Sequence, residues 1–365
     1  MVSDRSEAHE PDAELSQDEL VAKFLERPCT LAGDMCVTVR GFAAEAEAVA
    51  QKLGRAVVTY FQILSRFMDL SRVERVIVAA DYTAALAEVD RGIETKNILV
   101  ATKDELMTGV AMTPAVLRDG VLRCQVLLDA NFVIAMLERD SLPIAVSDDE
   151  FKEMGEQAHY LIAHEAGHAH DQAVIDRQLP GWILREPLRH YESGAALTSL
   201  SEYTACRLSA TFGGGRETKN YEETFAKALA TTREAGNRII IAYRTHADLS
   251  SFVNEFIPLY TRLVKAYSYL LGHLDGLGQR IEDAAPTAYQ AVQNTAWFTD
   301  LAKRWHEALQ QGWEIYGTWK SPEEMYMPLQ RVFHDVLRKG GIDVQPRPDG
   351  QFYIDIPFTV ETLPG

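Results

Sequence analysis

The feature that most constrains the fold is a long helix predicted to begin near the middle of the chain. Ser147-Asp-Asp-Glu150 forms a capping box, in which the serine and glutamate side chains satisfy backbone N–H groups at a helix N-terminus. The helix should run to about Asp176 and end before Pro180-Gly181. Strand-like apolar runs precede this point and helical periodicity follows it, so the sequence predicts an α+β fold.

The N-terminal part is predicted to contain a small mixed or antiparallel sheet. A helix at about residues 43–68 precedes four apolar runs that are typical of strands. Asp119-Gly120 lies between the last two runs and is a strong hairpin signal. A fifth run, Phe132–Met136, either continues the sheet or begins a helix. The four strand-like runs are Arg75–Ala80, Asn97–Ala101, Gly109–Leu117 and Val121–Leu128.

The rest of the chain is predicted to be mostly helical. A second helix should run from about Ala196 to Phe212, followed by helices at residues 220–245, 250–275, 285–311 and 321–339. A terminal β-hairpin is expected around Pro348-Asp-Gly350. The predicted parts are a disordered tail (1–16), an N-terminal α/β part with a substrate-edge sheet (17–146), the helices of a candidate site (147–212), a helical C-terminal subdomain (213–340) and the hairpin with a tail (341–365).

The charge balance excludes several classes of partner. The chain has 36 Lys and Arg against 53 Asp and Glu, giving a net charge of −17. A protein that binds nucleic acid or an anionic membrane needs clustered basic residues, so neither partner is expected. The four cysteines form no C-x-x-C pair, and the N-terminal segment has no apolar stretch of signal-peptide length. We expect a cytoplasmic protein with free thiols.

One sequence motif predicts a catalytic metal site. His164-Glu-Ala-Gly-His168 is H-E-x-x-H and lies inside the capped helix. A spacing of four residues places both imidazoles on one helix face, where two nitrogens can bind one zinc ion. Glu165 can reach a water bound to that metal without binding the metal itself. It can therefore act as the general base in zinc-assisted hydrolysis.

A catalytic zinc site needs three protein ligands and one open position. The metzincin solution, a histidine six residues after the second, fails because that residue is Val174. A carboxylate from the next helix is the alternative, and Glu202 fits best, on a helix with an apolar stripe and a face of small residues that permits close approach. Its rivals lie nearer to His168 but in a stretch predicted to be loop: Glu186, His190 and Glu192.

His164-Glu-x-x-His168 followed by Glu202-Tyr-x-Ala resembles the gluzincin metallopeptidases, and among them the ImmA/IrrE-like bacterial and phage enzymes. The resemblance covers about residues 72–212. It implies one zinc ion per chain on His164, His168 and Glu202, with Glu165 as catalytic base. It also implies a zincin-like fold in which an edge strand beside the active helix binds a peptide substrate. Val121–Leu128 or Phe132–Met136 could supply that strand.

The sequence departs from this family pattern in two ways. The separation of His168 and Glu202 is longer than in the most similar gluzincins. Thermolysin-like enzymes also have an aspartate four residues after the glutamate, and Cys206 stands there instead. Asp171 could take that supporting role beneath a histidine ligand, or it could lie in solvent near the helix end. His170 points to another helix face and is predicted to be at the surface.

An acyl-transfer site also needs a hydrogen-bond donor for the developing oxyanion. The sequence offers candidates without choosing among them: His190, Tyr191, Tyr203, Tyr267 and His273.

Three functions fit these residues. The leading one is a selective intracellular zinc metallopeptidase, in which the helical C-terminal part walls the cleft. The second is a zinc hydrolase of a non-peptide amide, which could use the same site. The third is a non-catalytic interaction module, in which Cys206 joins His164, His168 and Glu202 and closes the zinc coordination.

Overall fold

The computed structural model describes residues 22–94, 98–101, 109–142, 145–184, 191–347 and 352–363. The fold is α+β, as predicted, with a mixed sheet in the N-terminal half and a helical core in the C-terminal half. The tail predicted at residues 1–16 lies outside the described residues. No helix in the described ranges is long and apolar enough to span a bilayer.

The main sheet has five strands in the order β1-β2-β5-β3, with β4 also paired to β5. β1, β2 and β5 are parallel, whereas β3 and β4 run antiparallel along the outer side of β5. β5 therefore has partners on both sides. The strands are β1 Cys36–Arg40, β2 Val73–Ala79, β3 Ala111–Met112, β4 Ala115–Arg118 and β5 Val121–Asp129.

The hairpin prediction is confirmed. Arg118 pairs with Val121 across a two-residue turn in which Asp119 and Gly120 have φ values of 50° and 78°. Positive φ at both central positions is typical of a type I′ turn, whose twist matches that of the flanking strands.

Other strand predictions need correction. The predicted Gly109–Leu117 strand is two strands, because the chain bends at Thr113 and Pro114, and proline cannot donate a ladder hydrogen bond. Val121–Leu128 is not a sheet edge, since β5 is paired on both sides. Residues 98–101 form no strand, and Asn97 lies outside the described residues. β1 was not predicted from the sequence.

The helices follow the predicted order, although several bounds differ. Phe132–Met136 begins as helix and ends as a 3₁₀ turn, so it does not extend the sheet. The predicted helix at 285–311 is two helices. The bounds are α1 Glu47–Leu64, α2 Tyr82–Ala87, α3 Ala130–Val133, α4 Asp148–Gln178, α5 Tyr191–Ser209, α6 Arg216–His246, α7 Leu249–Leu277, α8 Ile281–Ala284, α9 Pro286–Asn294, α10 Thr299–Glu314 and α11 Pro322–Gly340.

The two strands of the predicted C-terminal hairpin are present and antiparallel, and the predicted turn at Pro348-Asp-Gly350 lies outside the described residues. β6 (Asp343–Pro346) pairs with β7 (Phe352–Asp355), and Val344 packs into the helical core.

Two hydrophobic cores meet along α4. The sheet core lies between one face of the sheet and helices α1 and α4, and it includes Ile162 and Ala166. The helical core surrounds α7 and includes Val174 and Ile175 near the end of α4. A smaller cluster under α2 covers part of the opposite sheet face. The H-E-x-x-H segment therefore lies at the boundary between the sheet core and the helical core.

Candidate metal centre

Three side chains from two helices converge at one point. Nε2 of His164 and Nε2 of His168 on α4 are 3.1 Å apart. Oε2 of Glu202 on α5 lies 3.3 Å from the first nitrogen and 3.2 Å from the second. The glutamate and the first histidine are buried, and the second histidine is partly exposed. These are the three residues predicted as metal ligands, and they form a group that could hold a metal ion.

The spacing of the three atoms fits a small divalent ion. Ligands 2.0–2.1 Å from a tetrahedral zinc ion are about 3.3–3.4 Å apart, close to the separations observed here. Oε2 of Glu202 is buried, and its nearest partners are the two ring nitrogens, which meet it at poor hydrogen-bond angles. A buried carboxylate oxygen of this kind is costly unless a cation or donor satisfies it. The residues present therefore fit a bound metal ion.

The electrostatics of the group also favour a cation. Burial lowers the pKa of His168, but the carboxylates of Glu202, Glu165 and Asp171 outweigh burial and raise that pKa to about 9. Burial works against ionisation of Glu202, yet Lys265 and His168 hold the pKa of this carboxyl well below its usual range. The group therefore holds a carboxylate and attracts positive charge.

Each ligand has a second partner that orients it. Oε1 of Glu202 pairs with Nζ of Lys265 on α7 at 2.9 Å, which leaves Oε2 directed at the histidines. Nδ1 of His168 lies 3.0 Å from Oγ of Ser201, and Nδ1 of His164 lies 3.6 Å from Sγ of Cys206. Partners of this kind fix the ring orientation of metal-binding histidines.

Asp171 is buried and supports His168 indirectly. Its carboxylate bonds Ser201, which in turn contacts His168, and it accepts a hydrogen bond of 3.0 Å from Tyr316. Burial raises the pKa of Asp171 to about 6. The alternative that Asp171 lies in solvent is wrong. His170 is also not a surface residue, because its half-buried ring accepts a hydrogen bond from the backbone N–H of Asp69.

The position of Cys206 bears on the closed-site hypothesis. Its sulfur contacts Nδ1 of His164, whereas the other two ligands converge on Nε2 of that ring. Burial, with the charge of Glu202, raises the pKa of the Cys206 thiol and keeps it protonated, while metal binding needs a thiolate. Cys206 therefore contacts the ligand His164 and does not lie where it could bind the metal itself.

The candidate base is held by the sheet. Oγ1 of Thr113, immediately after β3, donates a hydrogen bond of 2.6 Å to Oε2 of Glu165. Nε2 of Gln172 on α4 donates to the carbonyl of Thr113 at 2.7 Å, which fixes this residue against the helix. Both Thr113 and Glu165 are buried. The carboxylate therefore has one oxygen bound to a fixed donor.

Small residues allow the two ligand helices to meet. A Cβ atom added to Gly167 would lie 2.9 Å from Cα of Ala205 on α5, closer than atoms can approach. The face of α5 that bears Ala205, Cys206 and Ser209 is fully buried, as the sequence predicted for a helix whose carboxylate reaches a metal.

Among the described oxyanion candidates, none has its polar group beside the three metal-ligand atoms. The hydroxyl of Tyr203 bonds Asp275 and Arg207, and Tyr267 stacks on Phe225 in the helical core. His273 lies behind the site, where Nδ1 contacts the hydroxyl of Tyr160.

The other candidates for the third ligand or the oxyanion donor are Glu186, His190, Tyr191 and Glu192. His190 and Glu186 lie outside the described residues, as do the side chains of Tyr191 and Glu192. The backbone of the last two belongs to α5, so the prediction of a loop at Glu192 is wrong.

Three residues at the site were missed from the sequence. Thr113 and Lys265 come from β3 and α7, far from the motif in sequence. Tyr269 lies one turn after Lys265, with its ring centroid 5.8 Å from that of His164. Burial and the charge of Glu202 raise the pKa of Tyr269, so its hydroxyl stays protonated and hydrogen-bonds Glu202. A single Thr, Lys or Tyr forms no recognisable motif, so these residues could not have been predicted from the sequence.

Comparisons with models of protein families, with curated proteins and with solved structures give no match for this chain. The geometry of the site is therefore the basis for any functional proposal.

Proposed function

We propose that this protein is a zinc-dependent metallopeptidase. The observation that carries the proposal is the convergence of His164, His168 and Glu202 beside Glu165, whose carboxylate is oriented by Thr113. Two histidines and one glutamate leave a coordination position open, which is the arrangement of a catalytic zinc site and not of a structural one.

Each residue of the site has a separate role in the proposed hydrolysis. A zinc ion bound by the three ligands would polarise the scissile carbonyl and acidify water at neutral pH. Glu165 takes the proton of the attacking water through the oxygen that Thr113 leaves free, and it then delivers that proton to the leaving amine. Tyr269, a protonated hydroxyl on α7 that bonds Glu202 in the absence of substrate, is our candidate to stabilise the oxyanion.

The substrate-binding strand in this proposal is β3 in place of β5. β3 pairs with β5 on one side, and Thr113 at its end contacts the candidate base. A peptide that paired with the outer side of β3 would place its backbone next to Glu165. Hydrolysis of a non-peptide amide would use the same groups and remains the second candidate.

The test separates chemistry from metal binding. Glu165→Gln keeps the shape of the base but removes its ability to accept a proton. Zinc content should stay near one ion per chain, while cleavage should fall by at least about 100-fold, the scale of general-base catalysis. The measurement is incubation of the zinc-loaded protein with a denatured proteome, followed by sequencing of the new termini.

Glu153→Gln is the matched control, because Glu153 is exposed on the same helix. It should cleave at the parental rate. Equal cleavage by Glu165→Gln and the parent would contradict the mechanism. A zinc-loaded parent that cleaves model amides but no peptide would favour the second candidate.

A further inference from the structure

A buried row of hydrogen-bonding groups extends from the metal centre into the helical core. Nδ1 of His164 contacts Sγ of Cys206 at 3.6 Å, and this sulfur contacts the hydroxyl of Tyr221 at 3.6 Å. The hydroxyls of Tyr221 and Tyr160 are 3.1 Å apart, and Tyr160 lies 3.3 Å from Nδ1 of His273. Cys206 and His273 have no exposed surface, and Tyr160 is also buried.

The three groups in the middle of this row can each donate one proton and accept another. Within the row taken by itself, the four contacts can be satisfied together only if the donors point in the same direction. In one direction His164 donates from Nδ1, and His273 accepts at Nδ1 from Tyr160. In the other direction every donor reverses, and His164 carries its proton on Nε2. Only the first direction leaves a lone pair on Nε2 of His164 for a metal ion.

The row ends at His273. Nε2 of His273 is buried and has no partner among the described residues. Burial lowers the pKa of His273 to about 4, so the ring is neutral at pH 7 and must hold its proton on one nitrogen or the other. Its contact with Tyr160 is therefore the interaction that couples its tautomer to the row.

We propose that His273 is a positioning residue for the metal centre, acting through Tyr160, Tyr221 and Cys206 to hold His164 in its Nδ1–H tautomer. The inference rests on the metal centre of the proposed function but not on hydrolysis. It predicts that His273 in the zinc-loaded protein carries its proton on Nε2, four hydrogen bonds away from His164, and that zinc binding offsets the cost of leaving this buried N–H without an acceptor.

The direct test is ¹⁵N NMR of histidine-labelled, zinc-loaded protein, with the His273 signals assigned by their loss in His273→Asn. Nitrogen shifts of the Nε2–H tautomer are expected for His273. The Nδ1–H tautomer in the loaded protein would overturn the inference. So would a parent protein that binds no zinc. Zinc binding without peptide cleavage would instead count against the peptidase alone.

Zinc affinity in competition with a chelator provides the second test. His273→Leu removes the acceptor and should weaken zinc binding by about 10-fold or more, the usual effect of losing an outer partner of a ligand. His273→Asn retains an acceptor oxygen and should bind zinc within a few-fold of the parent. Equal weakening in both variants would show a merely structural role and would contradict the proposal.

Tyr221→Phe interrupts the row by removing one oxygen, so it supports a double-mutant cycle. It should weaken zinc binding as His273→Leu does, and the two changes together should weaken it no further. Additive losses would overturn the coupling. If His273→Leu does not fold, Tyr221→Phe and the NMR measurement still decide.

Ser209 supplies the matched control. Its hydroxyl also lies within hydrogen-bonding reach of Tyr160 and itself donates to the carbonyl of Cys206. Ser209→Ala should leave the tautomer of His273 and the zinc affinity unchanged. A loss of affinity in Ser209→Ala equal to that in His273→Leu would assign the terminal acceptor to Ser209 and reject His273.

Discussion

At the scale of single residues, Glu202 distinguishes a metal centre from a histidine-rich helix. Glu202→Ala removes one of three ligands and leaves two imidazoles four residues apart, so zinc affinity should fall by more than about 100-fold, beyond the effect of losing an outer partner. The measurement is metal analysis after dialysis. Glu223→Ala, on the exposed face of α6, is the control and should retain zinc. Full occupancy in Glu202→Ala would refute the assignment.

Thr113 tests how the sheet contributes to catalysis. Thr113→Val keeps the volume of the side chain but removes the hydrogen bond to Glu165. A hydrogen bond to a charged group is worth about 1.5–3 kcal/mol, so kcat should fall by roughly 10-fold or more, with KM and zinc content unchanged. Thr113→Ser restores the hydroxyl and should restore kcat. A loss confined to KM would instead indicate a role in substrate binding.

Much of the candidate site follows from local sequence, and the remainder does not. H-E-x-x-H fixes two imidazoles and a carboxylate by helix geometry alone, and the small residues around Glu202 indicate a helix that packs closely. Lys265, Tyr269 and Thr113 reach the site only through the packing of α7 and β3. That packing depends on the whole core, which no spacing in the sequence records.

At the scale of elements, the contact between α4 and α5 sets the ligand distances. Gly167→Ala would force a methyl group against the backbone of Ala205 and separate the helices. Overpacking of this kind costs about 1–3 kcal/mol, so the melting temperature and the zinc affinity should both fall. Thermal unfolding with and without zinc provides the measurement.

Gly194→Ala is the matched control, because nothing lies within 4 Å of the added methyl group and alanine favours helix by up to about 1 kcal/mol. It should keep zinc affinity and retain or raise the melting temperature. If Gly167→Ala behaved in the same way, the close approach would not limit the site.

Elements with strong local signals were predicted well. The capping box at Ser147 and the Asp119-Gly120 turn determine backbone geometry within a few residues, and both are present. The order of strands was not predictable, because β5 gains neighbours from β2 on one side and β3 on the other. β1 alternates exposed and partly buried residues over only five positions, which gives too weak a pattern to recognise.

At the scale of the whole molecule, metal binding should stabilise the fold. The ligands lie on two helices, so an ion at this point is bound by the folded chain and not by the unfolded one. At a free zinc concentration 100 times Kd, the added stability is about 2.7 kcal/mol. Calorimetry should show a higher melting temperature with zinc than with chelator. The gain should vanish in Glu202→Ala, and an equal gain there would locate zinc elsewhere.

The two cores that meet along α4 also determine how much of the chain must be synthesised before the candidate site can form. The histidines emerge from the ribosome with the sheet core, but Glu202 follows later, and the helical core that packs α5 includes residues as far along as Val344. Domains fold as they emerge, at about 5–20 residues per second. Synthesis of the stretch from His168 to Val344 takes roughly 10–35 seconds at this rate, so a growing chain presents two histidines for that time before a third ligand is held in place. Under the proposed function, the protein acquires its metal and its activity only after translation has passed the helical core.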